Sequence, residues 1–228
     1  MNFKTKTLLA GALLASSTVV SIGAQAATAG NIGATSNYIW RGVTQTNDQA
    51  AISGGVDWDH DSGAYVGGWT SNVSWTTPSG YELDVYGGYK FDTGDFKHDV
   101  GAIFYLYPVG DGKYDFTEIY YNLEWSWLSA GVAFTVAKES DAGTNDIYAY
   151  FGGDWEMDTN GIGVGFVVAR YTFDGASDSD YNHLNLHLTK DDFTVAIDKN
   201  DTDNVAWGTG SDDVRFSVSW SKEFDLLK

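Results

Sequence analysis

Along most of the chain apolar and polar residues alternate with a period of two, in runs of about nine to eleven residues, the length a tilted strand needs to cross a bilayer. Residues 81–91 show it most plainly. Tyr81, Leu83, Val85, Gly87, Tyr89 and Phe91 fall on one face, and Glu82, Asp84, Tyr86, Gly88 and Lys90 on the other. The same period predicts outward faces made of Ile32, Ala34, Tyr38 and Trp40 in the first strand and Ala50, Ile52, Val56 and Trp58 in the second. Tyr65, Trp69, Val73 and Trp75 follow in the third. After the fourth strand, residues 81–91, come Phe96, Val100, Ala102, Phe104 and Leu106, then Ile119, Tyr121, Leu123 and Trp125. The seventh and eighth strands offer Leu128, Ala130, Val132, Phe134 and Val136, then Ile147, Ala149, Phe151, Trp155 and Met157. Leu184, Leu186 and Leu188, then Phe193, Val195 and Ile197, then Val214, Phe216, Val218 and Trp220 complete strands ten to twelve. In strand nine, residues 161–173, two parities compete: one carries Ile162, Val164, Phe166, Val168 and Arg170 outward, the other Tyr171 and Phe173. A β-bulge near Ala169 reconciles them. The count is twelve, an even number.

Connection lengths alternate as well. Long connections fall at 41–49, 76–80, 108–114, 138–144, 174–180 and 200–211, and short ones at 60–63, 92–95, about 126, 158–160 and 190–192. Outer-membrane barrels pair long external loops with short periplasmic turns in this way, which places both termini in the periplasm. Aromatic residues gather at both ends: Trp58, Tyr65, Phe91, Phe96, Trp125, Trp127, Trp155 and Trp220 at one, Trp40, Trp75 and Tyr81 at the other. Such girdles mark the two membrane interfaces. A secreted β-sandwich also alternates, but this many aromatic side chains overfill a sandwich core, and sandwiches rarely keep the loop alternation.

The N-terminus adds a destination. Lys4 and Lys6 precede an apolar run from Leu8 to Leu14, and Ala24-Gln25-Ala26-Ala27 supplies small residues for cleavage, which predicts a signal peptide over residues 1–26 and a barrel over 27–228. The formal net charge is −18, and removal of the two lysines leaves the remainder more acidic still. Such a body repels phosphates rather than releasing their counterions, so nucleic acid is excluded as a partner. It suits a surface bathed in divalent cations. There is no cysteine, hence no disulfide framework or thiolate metal site, and no cofactor is indicated.

Several stretches carry a family resemblance. Ser36-Asn37-Tyr38-Ile39-Trp40-Arg41-Gly42-Val43-Thr44-Gln45-Thr46, then Gly54-Gly55-Val56-Asp57-Trp58 and the run from Gly63 to Val73, resemble the TorF-type porins of proteobacteria, the Gcw_chp family. Glu82 to Tyr89, Asp99-Val100-Gly101 and Phe104 to Pro108 extend the likeness, which is specific over residues 31–125 and diffuse beyond. The resemblance implies an outer-membrane barrel with a channel role. One departure concerns assembly by the barrel-insertion machinery: Phe224, the aromatic residue expected to be read, is followed by Asp225-Leu226-Leu227-Lys228.

Inward parity gives the lumen its chemistry. The candidates for its lining are Arg41, Glu82, Asp84, Lys90, Asp99, Glu118, Glu124, Asp154, His183, His187 and Arg215, with Asp57, Asp59, Asp146, Glu156, Asp198 and Lys97 sharing the parity. Acid predominates, which favours cations in a narrow water-filled pore; the opposing reading is that the charges pair and plug a small barrel. Arg41 ends the first strand at the external mouth, either as a constriction facing carboxylates or as an ion pair holding the first loop. His183 and His187 lie about 13 Å apart along one strand, too far to share a metal ion without other ligands. A lipid-modifying enzyme needs a hydroxyl nucleophile beside a histidine on the outer face; His98 has the parity, but no hydroxyl partner is evident, and no enzyme activity is assigned. The loops 174–180 and 200–204 are acidic without the twelve-residue calcium-loop pattern. The function expected is passive diffusion of small hydrophilic solutes across the outer membrane, among lipid and lipopolysaccharide; the alternative is a closed structural or adhesive barrel acting through its loops. No oligomeric state is legible.

Overall fold

The computed structural model describes residues 27–227 except 77, 110–112, 141–142, 158–160, 176–178 and 203–211. The segment 1–26, assigned above to a signal peptide, lies outside the described residues. Fourteen strands follow in chain order: β1 (Ala27–Thr35), β2 (Ile39–Trp40), β3 (Val43–Thr44), β4 (Ala51–Asp59), β5 (Ala64–Val73), β6 (Gly80–Thr93), β7 (Phe96–Leu106), β8 (Phe116–Trp125), β9 (Leu128–Lys138), β10 (Ile147–Glu156), β11 (Ile162–Thr172), β12 (Tyr181–Lys190), β13 (Phe193–Asn200) and β14 (Arg215–Leu227). Twelve of them, all but β2 and β3, pair with their sequence neighbours as antiparallel strands, and β1 pairs with both β4 and β14 to close the barrel. Closure removes both sheet edges, so every central backbone group has a partner within the wall.

Each wall strand presents alternate residues outward. β12 is the cleanest case, with Asn182, Leu184, Leu186 and Leu188 exposed and Tyr181, His183, Asn185, His187 and Thr189 buried. Tight turns close the barrel at one end, such as 94–95, where Gly94 adopts φ 64°, and 126–127, where Ser126 adopts φ 58°. Connections at the other end are longer, as the loop lengths predict.

Four sequence expectations are corrected. The first strand ends at Thr35, and Tyr38 and Trp40 turn inward: Tyr38 is buried, and Trp40 packs on Tyr105, Phe116 and Tyr171 inside the barrel. β5 has the opposite parity to that expected. Tyr65 and Val73 are buried and Trp69 packs on Tyr38, while Val66 takes the exposed face. Trp75 also packs inward, against Tyr107 and Tyr114, so of the three aromatics expected in the girdle at the long-loop end only Tyr81 faces out. No bulge interrupts β11, whose register against β12 runs unbroken through Ala169, with Arg170 outward and Tyr171 inward. The physical reason is common to the first three: a narrow barrel needs bulky side chains to fill its interior, so an apolar face does not by itself mean a lipid-facing one. The girdle at the short-turn end is as expected for Trp58, Phe91, Phe96, Trp125, Trp127 and Trp155, all exposed.

Candidate functional site

The segment 36–50 leaves β1 and folds back into the barrel as a hairpin of β2 and β3. Its own polar groups hold its shape. Gln45 N donates to Tyr38 O (2.6 Å), Thr44 Oγ1 to Asn37 Oδ1 (2.6 Å), and Asn37 Nδ2 to Asp48 Oδ1 (2.8 Å). Arg215 Nε on β14 reaches the same Asp48 oxygen at 2.8 Å, and Ser74 N donates to Gln45 O (2.9 Å), tying the segment to the wall on two sides. Thr46 is completely buried, with 0 % exposure.

At the hairpin tip Arg41 and Gly42 both take positive φ, 49° and 82°, the geometry of a two-residue I′ turn. Asparagine or glycine suits the first of these positions; arginine there carries strain of about 1–2 kcal/mol. The surroundings hold it in place. Arg41 donates both terminal nitrogens to Glu118 on β8, at 2.8 and 2.7 Å, and its guanidinium lies 4.3 Å from the ring centroids of both Trp40 and Tyr148. On the opposite side Tyr181 Oη donates to Arg41 O (3.0 Å) and Asn200 Nδ2 to Gly42 O (2.7 Å). Gly42 is packed so closely on His183 that an added Cβ would come within 2.6 Å of the ring. The tip is therefore a strut across the lumen, from β8 to β12 and β13. Of the two sequence readings of Arg41, the structure places the residue in an ion pair with Glu118 at the tip of the first loop.

Two cavities flank this strut. One, of about 280 Å³, is lined by Tyr38, Arg41, Trp69, Asp84, His183 and Asp198 among others and continues among wall residues toward the short-turn end. The other, of about 340 Å³, lies among the long connections and is lined by Trp75, Lys113, Tyr114, Phe116, Lys138 and Tyr171 among others. They share no lining residue.

The predicted lining residues distribute around this geometry. Arg41, Glu82, Asp84 and Glu118 gather at the hairpin, all buried, and Arg215 is buried at its flank. His183 and His187 are buried on the β12 wall in one run of hydrogen bonds: Tyr148 Oη to His183 Nδ1 (3.3 Å), His183 Nε2 to Asp198 (3.0 Å), Asn185 Nδ2 to Asp198 (2.9 Å), His187 Nδ1 to Asn185 Oδ1 (2.8 Å), and His187 Nε2 to Asp154 (2.7 Å). Lys90, Asp99 and Glu124 lie in the short-turn half and are partly exposed, Lys90 3.7 Å from Asp59 and Asp99 accepting from Tyr65 Oη (2.7 Å). Lys97, although of inward parity, is exposed near the strand end. The residues left out of the predicted lining are the supports of the strut: Tyr148, Tyr171, Tyr181, Asn200 and Gly42. The Arg41-Gly42 pair itself was the available signal, since a glycine following a polar residue is how a two-residue hairpin is written.

On the outer face His98 does have hydroxyl partners, at 2.5 Å to Thr93 Oγ1 and 2.7 Å to Tyr121 Oη, and it stacks on Phe91. Of the acidic loops, Asp201 accepts from both the backbone and side-chain nitrogens of Asn182, at 2.6 and 2.7 Å, which holds its carboxyl below the usual range. Among the described residues no group of three or more His, Cys, Asp or Glu is placed to hold a metal ion.

A closed barrel of twelve antiparallel strands, apolar outside, with buried charged and aromatic residues within and part of the lumen filled by an infolded segment, has the architecture of an outer-membrane β-barrel. The chain belongs to the Gcw_chp family, described as a bacterial protein of unknown function, whose model matches residues 23–224. Among solved structures it is similar to a KdgM porin, with a TM-score of 0.56 and 8 % identity over 87 % of this chain and 99 % of that one. A KdgM porin in complex with disordered oligogalacturonate matches at TM-score 0.52 and 7 % identity, over 88 % and 99 %. A structure from work on in-meso crystallization of membrane proteins matches at 0.55 and 12 %, over 88 % and 84 %. These likenesses establish the barrel fold. No curated protein matches the chain.

Proposed function

We propose that the chain is an outer-membrane channel for small hydrophilic solutes, held closed on its external side by the hairpin of segment 36–50. The observation that carries this reading is the pair of cavities on either side of one guanidinium–carboxylate strut. A barrel serving only as a wall or a loop scaffold has no need of two chambers, whereas a gated pore requires both and a closure between them. The exposed band of Ile52, Val56, Val85, Phe104, Leu186 and Phe216 suits lipid contact. In the same reading residues 1–26 are cleaved after export, Phe224 serves the insertion machinery, and both termini, joined where Thr28 pairs with Leu227, lie in the periplasm. The long connections then meet lipopolysaccharide.

Lumen charge bears on what passes. Carboxylates line both halves, and Arg41, one of the few basic groups there, is neutralised by Glu118. Fixed negative charge concentrates cations and repels anions, so the solute class is neutral or cationic, unlike the oligogalacturonate held by one structural neighbour.

The test is a planar bilayer. Glu118→Gln removes the charge that holds Arg41; breaking a buried pair from one side costs roughly 3–5 kcal/mol, enough to invert a closed population held by a few kcal/mol. The variant conducts in long openings where the unaltered protein is closed most of the time, and a potassium chloride gradient gives a reversal potential of cation-selective sign. A variant that stays silent, or conducts with anion selectivity, contradicts the reading.

A further inference from the structure

Three carboxylates converge beside the hairpin, and one guanidinium serves them. Glu82 and Asp84 project inward from β6, two residues apart on one face, and Glu118 projects from β8; their exposures are 1, 7 and 1 %. Both terminal nitrogens of Arg41 are spent on Glu118. Glu82 and Asp84 face the same interior space from alternate positions of β6, near the hydroxyls of Tyr38 and Tyr107. Neither forms an ion pair with a basic residue among those described. Oε2 of Glu82 and Oδ1 of Asp84 are buried and have no hydrogen-bond partner among the described residues. Two carboxylates so close and out of water repel strongly unless positive charge lies between them. Asp84 also lines the inner cavity, so an ion in the lumen can reach the pair.

We propose that Glu82 and Asp84 bind one small, hard divalent cation, bridged between Glu82 Oε2 and Asp84 Oδ1. The donors are all oxygen, which selects calcium or magnesium over softer metals. Two carboxylates match a double charge, and a cation bound through one or two carboxylates keeps part of its water shell, for which the adjoining cavity has room. With no third acidic or histidine ligand among the described residues the site is not a dedicated cage, and its affinity belongs in the range of extracellular calcium modules, about 0.1–1 mM. Because Tyr38 belongs to the plug segment, an occupied site ties that segment to the wall. The inference rests on the channel reading only for the ion's route, and binding to the folded barrel in detergent needs no conduction.

Terbium serves as the probe, since the neighbouring tyrosines sensitise its luminescence when excited near 280 nm. The detergent-folded protein gives sensitised emission that millimolar calcium displaces, and calcium chloride raises its unfolding temperature saturably above a sodium chloride control of equal ionic strength. Both responses vanish in Glu82→Gln/Asp84→Asn. A response that came from the acidic loops would persist in that variant, which separates the two sources. If the double variant fails to fold, shown by loss of heat-modifiable migration, Asp84→Asn alone lowers the affinity for terbium at least tenfold. An unaltered protein with no displaceable emission, or variants that bind as tightly as it does, overturns the proposal and leaves a proton shared between the two carboxyls.

Discussion

At the scale of single residues the strut depends on Gly42 as much as on Arg41. A side chain at position 42 meets the His183 ring at 2.6 Å from its first carbon, and φ of 82° penalises any L residue besides. Gly42→Ala therefore costs about 1–3 kcal/mol of hairpin docking, read as faster protease cleavage within 38–46 while the wall strands stay protected. Wall protection lost together with the hairpin shows instead that the barrel cannot stand without its plug. Asp201 offers a second, milder case. Its carboxyl is held below the usual range by Asn182, so the clamp is intact above the ordinary aspartate pKa and is released as pH falls through the depressed folded value. Amide exchange at Asn182, corrected for its intrinsic pH dependence, accelerates over that acid interval and nowhere near neutrality.

At the scale of elements the alternation was readable wherever the lumen side was ionic. β6 and β8 set Glu82, Asp84 and Glu118 against Val85, Tyr89 and Ile119, and no ambiguity of face arises. β5 offers no such contrast. Its lumen face carries Tyr65, Trp69 and Val73, and its outer face Val66, Gly68, Thr70 and Asn72, so bulk and period pointed the wrong way. The segment 36–50 misled for the same reason: Tyr38 and Trp40 continue the period of β1 beyond its end, and only tertiary packing against Trp69, Tyr105 and Tyr171 reveals them as filling. Arg41 and Glu118 were each legible as lumen residues; their pairing, across 77 positions, was not. The absence of cysteine makes the corrected parity simple to check. In single-cysteine variants, Val66→Cys reacts with a membrane-restricted maleimide and resists a water-soluble one. The reverse result restores the parity read from the sequence.

At the scale of the whole molecule a closed wall surrounds a plug made from its own first long connection. Wall and plug are stabilised differently: the wall by continuous strand pairing around the barrel, the plug by a few polar anchors to β8, β12, β13 and β14 and by packing of Tyr38, Trp40 and Val43 on wall aromatics. In the channel proposed above, such a division would let the plug leave without unfolding the barrel. The divalent site between Glu82 and Asp84 would then set how readily it leaves, and calcium is expected to lengthen closed intervals in Glu118→Gln channels. The most direct measurement is single-channel recording of a barrel in which residues 38–46 are replaced by a short Gly-Ser linker. Steady conductance that appears on removal of the hairpin, in a barrel that keeps its heat-modifiable migration, is the predicted result; a folded barrel that remains non-conducting without its plug contradicts a channel.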